Sequence, residues 1–134
     1  METCRSSRPR FVLLLLMVLA APARAAEPLS FEITYEAKVT PGPCTGRVFV
    51  LLSKKEMDGL PAGVSWFNPE PFFAVDVKDW KPGTPLTIDR TALGHPITLD
   101  KLPKETYSLV AVLDLDRGSR RFTHAEGNGY SSPV

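Results

Sequence analysis

The sequence predicts an all-β protein: one antiparallel β-sandwich preceded by an export signal. Three observations lead there. Apolar and polar residues alternate over two stretches, turn formers cut the chain at short intervals, and no segment of useful length shows the helical period of about 3.6 residues. Thirteen prolines and nine glycines in 134 residues supply the turns. That length holds one domain, and a chain of roughly 110 residues buries about two thirds of its unfolded surface, enough for a core without cross-links.

The first residues read as an address. Arg5, Arg8 and Arg10 precede an apolar run from Phe11 to Ala21, and Ala23-Arg24-Ala25 follows as a small-x-small cleavage site. The expected division is therefore a signal peptide over 1–25 and a single domain over 26–134, secreted or periplasmic. At about 1.5 Å per residue the apolar run covers only about half of a roughly 30 Å hydrocarbon core, so no stable membrane span is expected after cleavage. Removal of 1–25 takes away Arg5, Arg8, Arg10, Arg24 and Glu2 and turns the formal charge from +1 to −2. A charge this small gives no footprint for nucleic acid or for an anionic membrane. Cys4 leaves with the signal, Cys44 stays as the only thiol, and no internal disulfide is expected.

Within the domain, Phe31 to Thr40 has period two, with Phe31, Ile33, Tyr35, Ala37 and Val39 on one face. Pro41-Gly42-Pro43 breaks it. Arg47 to Leu52 is a continuous apolar run after its first residue, suited to a central strand covered on both sides. A long irregular stretch follows to Pro71. Phe72 to Val77 reads as a strand, Lys81-Pro82-Gly83 as a turn, Pro85 to Asp89 as a short strand whose proline fits only at its start or on an edge, and Ile97 to Leu99 as another short strand. From Thr106 to Leu115, Tyr107, Leu109, Ala111 and Leu113 share one face and Val110 and Val112 the other. The expected core is Phe31, Ile33, Tyr35, Val48, Val50, Leu52, Tyr107, Leu109, Ala111 and Leu113, joined by half-buried aromatics.

Leu102-Pro103-Lys104-Glu105-Thr106-Tyr107 is similar to the Leu-Pro-x-x-Thr-Tyr segment of fibronectin-like and transthyretin-like sandwiches. The resemblance implies a tyrosine hydroxyl pinned to upstream backbone at the corner, and the alternative is a generic turn with a core tyrosine.

Two clusters have chemical potential. Asp114-Leu115-Asp116 begins like a calcium loop, since alternate acidic residues can converge on one hard cation. The pattern then fails at Gly118, Ser119 and Ala125, and Arg117, Arg120 and Arg121 favour local ion pairing. Asp114 and Asp116 thus stand as a weak metal candidate beside the reading of a solvated strand end. The second cluster is aromatic, with Trp66, Phe67, Phe72, Phe73 and Trp80 placing five of twelve aromatics in fifteen residues. Ring faces stack on saccharide C–H groups, and Asn68, Glu70 or Asp79 can supply hydrogen bonds. Trp66, Phe67, Asn68 and Trp80 are the candidate binding residues, for a carbohydrate or protein partner. The alternative is structural cover for the ends of the sandwich.

Catalysis has less to stand on. His95 and His124 both fall in expected loops, and there is no Gly-x-Ser-x-Gly, His-x-x-x-His or Cys-x-x-Cys. A triad of Ser119, His124 and Asp116 is closeness that chance supplies. Gly127-Asn128-Gly129 reads as a turn, because no helix follows it to cradle phosphate. No enzyme activity and no cofactor are expected.

Taken together, Pro41 to Ser53, Trp66-Phe67-Asn68-Pro69-Glu70-Pro71-Phe72-Phe73, Asp76 to Gly83, Ala111 to Asp114 and Gly127-Asn128-Gly129-Tyr130-Ser131 resemble the N-terminal β-rich region of exported bacterial esterases. There, such a segment precedes a separate α/β-hydrolase domain. The resemblance implies an accessory region, possessing none of the family's catalytic residues. A remnant or atypical esterase is the competing expectation. The sequence stops at Ser132-Pro133-Val134, where that family's next strand begins, which implies a truncated reading frame or a freestanding form, with an unpaired edge beside the late strand.

Overall fold

The structure, a computed structural model, describes residues 27–61, 65, 67–115 and 123–134. The expected signal peptide lies outside them. Seven strands form: β1 (Phe31–Ile33), β2 (Cys44–Ser53), β3 (Phe72–Trp80), β4 (Leu86–Ile88), β5 (Leu93–His95), β6 (Ser108–Asp114) and β7 (Gly129–Tyr130). The described chain is all-β, with one 3₁₀ turn at Leu99–Lys101 and no α-helix among the described residues. Strands β1 and β4 pair as a two-stranded sheet, and the other five run in the order β5-β3-β2-β6-β7. Every pairing is antiparallel.

As its apolar run predicts, β2 is central, and both its faces are buried. On one face Val48, Val50 and Leu52 join Phe73, Val77 and Leu113, and Ile88 of β4 with Phe31 and Ile33 of β1 packs against them. On the other, Phe49 and Leu51 join Ala74, Val110 and Val112. That second cluster is absent from the expected core. Met57 and Leu60, from the long connection between β2 and β3, cover it together with Phe72. In β6 the two-face division holds, with Val110 and Val112 opposite Leu109 and Leu113.

The second face of the large sheet is organised in rows. Register places Leu93, Ala74, Phe49, Val112 and Tyr130 in one line across all five strands. The centre is buried, while its ends, Leu93 and Tyr130, are exposed. The next line on that face, Asp76, Arg47 and Asp114, is charged. Arg47 donates to both carboxylate oxygens of Asp76, at 2.7 and 3.1 Å. The hydrogen bond and the charges of Asp76 and Asp114 hold the guanidinium more firmly protonated than usual.

Several expectations are corrected. The first strand ends at Ile33, and the chain turns at Ala37–Val39, with Val39 N–H bonded to the Glu36 carbonyl at 2.9 Å. Beyond the strand end, Thr34 would face Pro85, which has no N–H to extend the ladder, and Tyr35 reaches inward. Its hydroxyl shares its one proton between the Gly42 and Trp80 carbonyls, at 2.6 and 2.7 Å, while the Tyr35 carbonyl accepts from Gly83 N–H at 2.9 Å. Ile97 to Leu99 is not a strand. Leu93–His95 takes that place and pairs with β3, so His95 is on a strand and not in a loop. Pro85 lies just outside β4. The turn after β3 is as predicted, Thr84 N–H bonding Lys81 O at 3.2 Å with Gly83 at φ 72°, which a Cβ would strain.

Two further corrections concern the late strand. The tyrosine corner does not form: the buried Tyr107 hydroxyl has no hydrogen-bond partner among the described residues. The edge of β6 is not open. Gly129 and Tyr130 pair with Leu113 and Val112, Ser131 N–H bonds Ala111 O at 2.9 Å, and Leu109 and Val134 exchange bonds at 2.8 and 3.1 Å. A two-residue strand and four extended residues thus shield the strand that the sequence left bare.

Candidate functional site

The connection between β2 and β3 builds the site. Ser53, buried at the end of β2, anchors both its ends: its Oγ accepts from Lys55 N–H at 3.0 Å and donates to Glu70 Oε1 at 2.7 Å. Leu52 N–H reaches Pro71 O at 3.0 Å, and Met57 N–H reaches Ser108 Oγ at 3.4 Å. Asn68 N–H bonds Ser65 Oγ at 3.3 Å, a local side-chain turn that throws the chain outward. Pro69 and Pro71 remove two backbone donors and fix φ on either side of Glu70, so this stretch cannot fold back as a strand.

The result is Phe67 with its side chain in solvent, at 102% relative exposure. The same connection lines a cleft of about 300 Å³, walled by Met57 and Phe72 on the apolar side and Ser53, Glu70, Lys55 and Asn68 on the polar side. A cleft that sets the Phe72 ring and Met57 opposite a mixed set of donors and acceptors is suited to a ligand that carries C–H and O–H groups together. Of the candidate residues, Asn68 lines the cleft and Phe67 is beside it in the chain with its ring in solvent. Trp66 lies outside the described residues.

Trp80 does not belong with them. It is the last residue of β3, about 26 Å of strand away from Phe72 at roughly 3.3 Å per residue. It is also covered, at 7% exposure, with its Nε1–H donating to Thr84 O at 2.8 Å and its ring edge-on to Tyr35 at 4.6 Å. Of the two readings the sequence left open, Trp80 fits cover. Burial pushes the Tyr35 hydroxyl up to about 12, and the neighbouring Cys44 thiol adds to the shift. Cys44 itself is a free, buried thiol at the start of β2.

The metal candidates are divided. Asp114 is buried at the end of β6 and accepts from Asn128 Nδ2 at 2.9 Å, whereas Asp116 lies outside the described residues. Among the described residues no three His, Cys, Asp or Glu converge. The paper triad is equally divided, as Asp116 and Ser119 fall outside the described residues and His124 is hydrogen-bonded to Thr123 at 2.8 Å. His95 instead lies against Phe72, ring centres 5.4 Å apart.

Sequence reasoning missed Ser53 and Met57, which shape the cleft. A signal was present, since a serine closing a buried apolar run must find partners, but it names no partner. A second cleft, about 350 Å³, lies between Tyr35 and Val39 on one side and Ala111, Leu113 and Tyr130 on the other. Among the described residues no helix is long and apolar enough to cross a membrane. Comparison with protein families, with curated proteins and with solved structures finds no match for this chain.

Proposed function

We propose that the protein is an exported, non-catalytic β-sandwich that serves as an accessory or binding module, of the kind that precedes a hydrolase domain, and that it engages carbohydrate through the segment 65–71. In this reading the two sheets are the layers of the sandwich, and the signal peptide delivers the domain to the secreted or periplasmic space. The observation that carries it is Phe67. A fully exposed phenylalanine on a proline-braced loop gains nothing from folding, and its neighbours Ser65 and Asn68 line a cleft whose walls pair apolar surface with Ser53 and Glu70. Stacking on the ring would orient a sugar, and the polar wall would read its hydroxyls.

Affinity electrophoresis through gels containing soluble polysaccharides tests this. The full chain should be retarded by at least one glycan, and Phe67→Ala should migrate as in an empty gel while melting at the same temperature as the parent. Retardation that survives Phe67→Ala, or none across a broad glycan panel, overturns the carbohydrate reading.

A further inference from the structure

The turn before β7 depends on one carboxamide. Asn128 uses both of its polar atoms: Oδ1 accepts from Leu115 N–H at 2.9 Å, and Nδ2 donates to Asp114 Oδ1 at 2.9 Å. It thereby ties the segment 123–130 to the end of β6, just where Gly129 begins to pair with Leu113. Gly129 fills a place where a Cβ would collide with Val39 Cγ1, so the position admits only glycine without movement. Packing has thus put a glycine directly after an asparagine, the sequence in which the backbone nitrogen most easily reaches the side-chain carbonyl carbon.

We infer that Asn128 is a deamidation site, gated by release of the C-terminal strand, whose product cannot restore the tie. In the closed form both ends of the carboxamide are held and Gly129 is held in the ladder, so its nitrogen is kept from Cγ. When 129–134 lifts from β6, Gly129 N attacks Asn128 Cγ. A C–N bond forms, the Cγ–Nδ2 bond breaks, and ammonia leaves with the proton from Gly129 N. Water then opens the succinimide. Cleavage at Cγ yields aspartate, and cleavage at the backbone carbonyl yields isoaspartate.

Either product alters the tie. Aspartate replaces the Nδ2 donor with a carboxylate oxygen facing Asp114, so an attraction between donor and acceptor becomes repulsion between like charges. Isoaspartate also adds a methylene to the main chain, shifting 129–134 against β6 and spoiling the bonds of Ser131 and Val134. The site turns a transient opening into a permanent one.

The composition makes the test clean. The chain has two asparagines and no glutamine, and Asn68 is followed by Pro69, which lacks the N–H this cyclisation uses. The intact full chain is incubated at pH 7.4 and 37 °C, folded and in concentrated urea, and the roughly one-dalton gain is followed by mass spectrometry and placed by peptide mapping. The expected result is conversion at Asn128 at least tenfold faster in urea. Equal rates would overturn the gating, and no conversion at Asn128 in urea would overturn the site. Hydrogen exchange of Asn128→Asp then reads the consequence: the amides of Leu109, Ser131 and Val134 should exchange at least tenfold faster than in the parent. Unchanged exchange overturns the loss of the tie. Should that variant fail to fold, the same amides are read on deamidated parent protein separated by ion exchange.

Discussion

The far end of β3 and the loop that leads into its near end each carry an aromatic residue and treat it in opposite ways. At the far end, Trp80 is buried against Tyr35, and each ring has a polar tip that ends on a backbone carbonyl. At the near end, Phe67 has no polar tip and sits on a loop braced by Pro69 and Pro71, in solvent. An aromatic cluster in sequence is therefore no cluster in space. What separates its members is the element that carries them: Phe73 and Trp80 are held on β3 and buried, whereas Phe67 is on the loop before it.

The largest expected effect comes from removing the buried end. Trp80→Ala should cost about 3–5 kcal/mol, through lost burial and the cavity left behind. Denaturant unfolding measures it, and a loss near zero would erase the distinction between the two ends.

A smaller effect should come from Tyr35→Phe, which leaves the Gly42 and Trp80 carbonyls without their donor. This variant also sharpens the comparison through pH. The hydroxyl's pKa is raised from 10.0 to about 12 in the folded state, so the fold holds this proton more tightly than the unfolded chain does. Its contribution is complete below about pH 10 and is lost as pH climbs toward 12. Unfolding midpoints from about pH 8 to about pH 11 should fall steeply for the parent and less steeply for Tyr35→Phe. Parallel curves would show that Tyr35 is not the buried anchor.

The smallest effect belongs to the exposed end. Phe67→Ala should change stability by no more than about 0.5 kcal/mol in thermal or denaturant unfolding. A loss of several times that size would mean that Phe67 is cover as well.

Much of the fold was legible from periodicity. The central position of β2 followed from an apolar run that needs two covered faces, and the face division of β6 from strict alternation. Where the reading failed, the local pattern carried no record of long-range contacts. Tyr35 keeps the right parity for a strand and is buried, yet it lies past the end of β1 with its hydroxyl on the Gly42 and Trp80 carbonyls, 7 and 45 residues away. Tyr107 shows the reverse: the local sequence announced a corner, and no described residue supplies the acceptor. At the site, Phe67 and Asn68 were legible because prolines mark a loop whatever surrounds it. Trp80 was misgrouped because closeness along the chain was read as closeness in space, although the expected strand from Phe72 to Val77 already separates it from Phe67. The tie of Asn128 to Asp114 joins residues whose pairing depends on the return of the chain to β6, and no local pattern encodes it.

The line of Asp76, Arg47 and Asp114 across three strands also acts as a key for alignment. In a sheet with both faces apolar, sliding one strand by two residues returns each side chain to its own face and costs little in burial. Here that slip would set Arg47 opposite Ala74 or Lys78 on β3 in place of Asp76, trading a two-pronged ion pair for none or for a like charge. Exposed as it is, the pair adds little to net stability, yet it penalises the neighbouring registers that hydrophobic packing would tolerate. The Arg47–Asp76 pair thus disfavours the two-residue slips of β2 against β3 that apolar packing alone would tolerate.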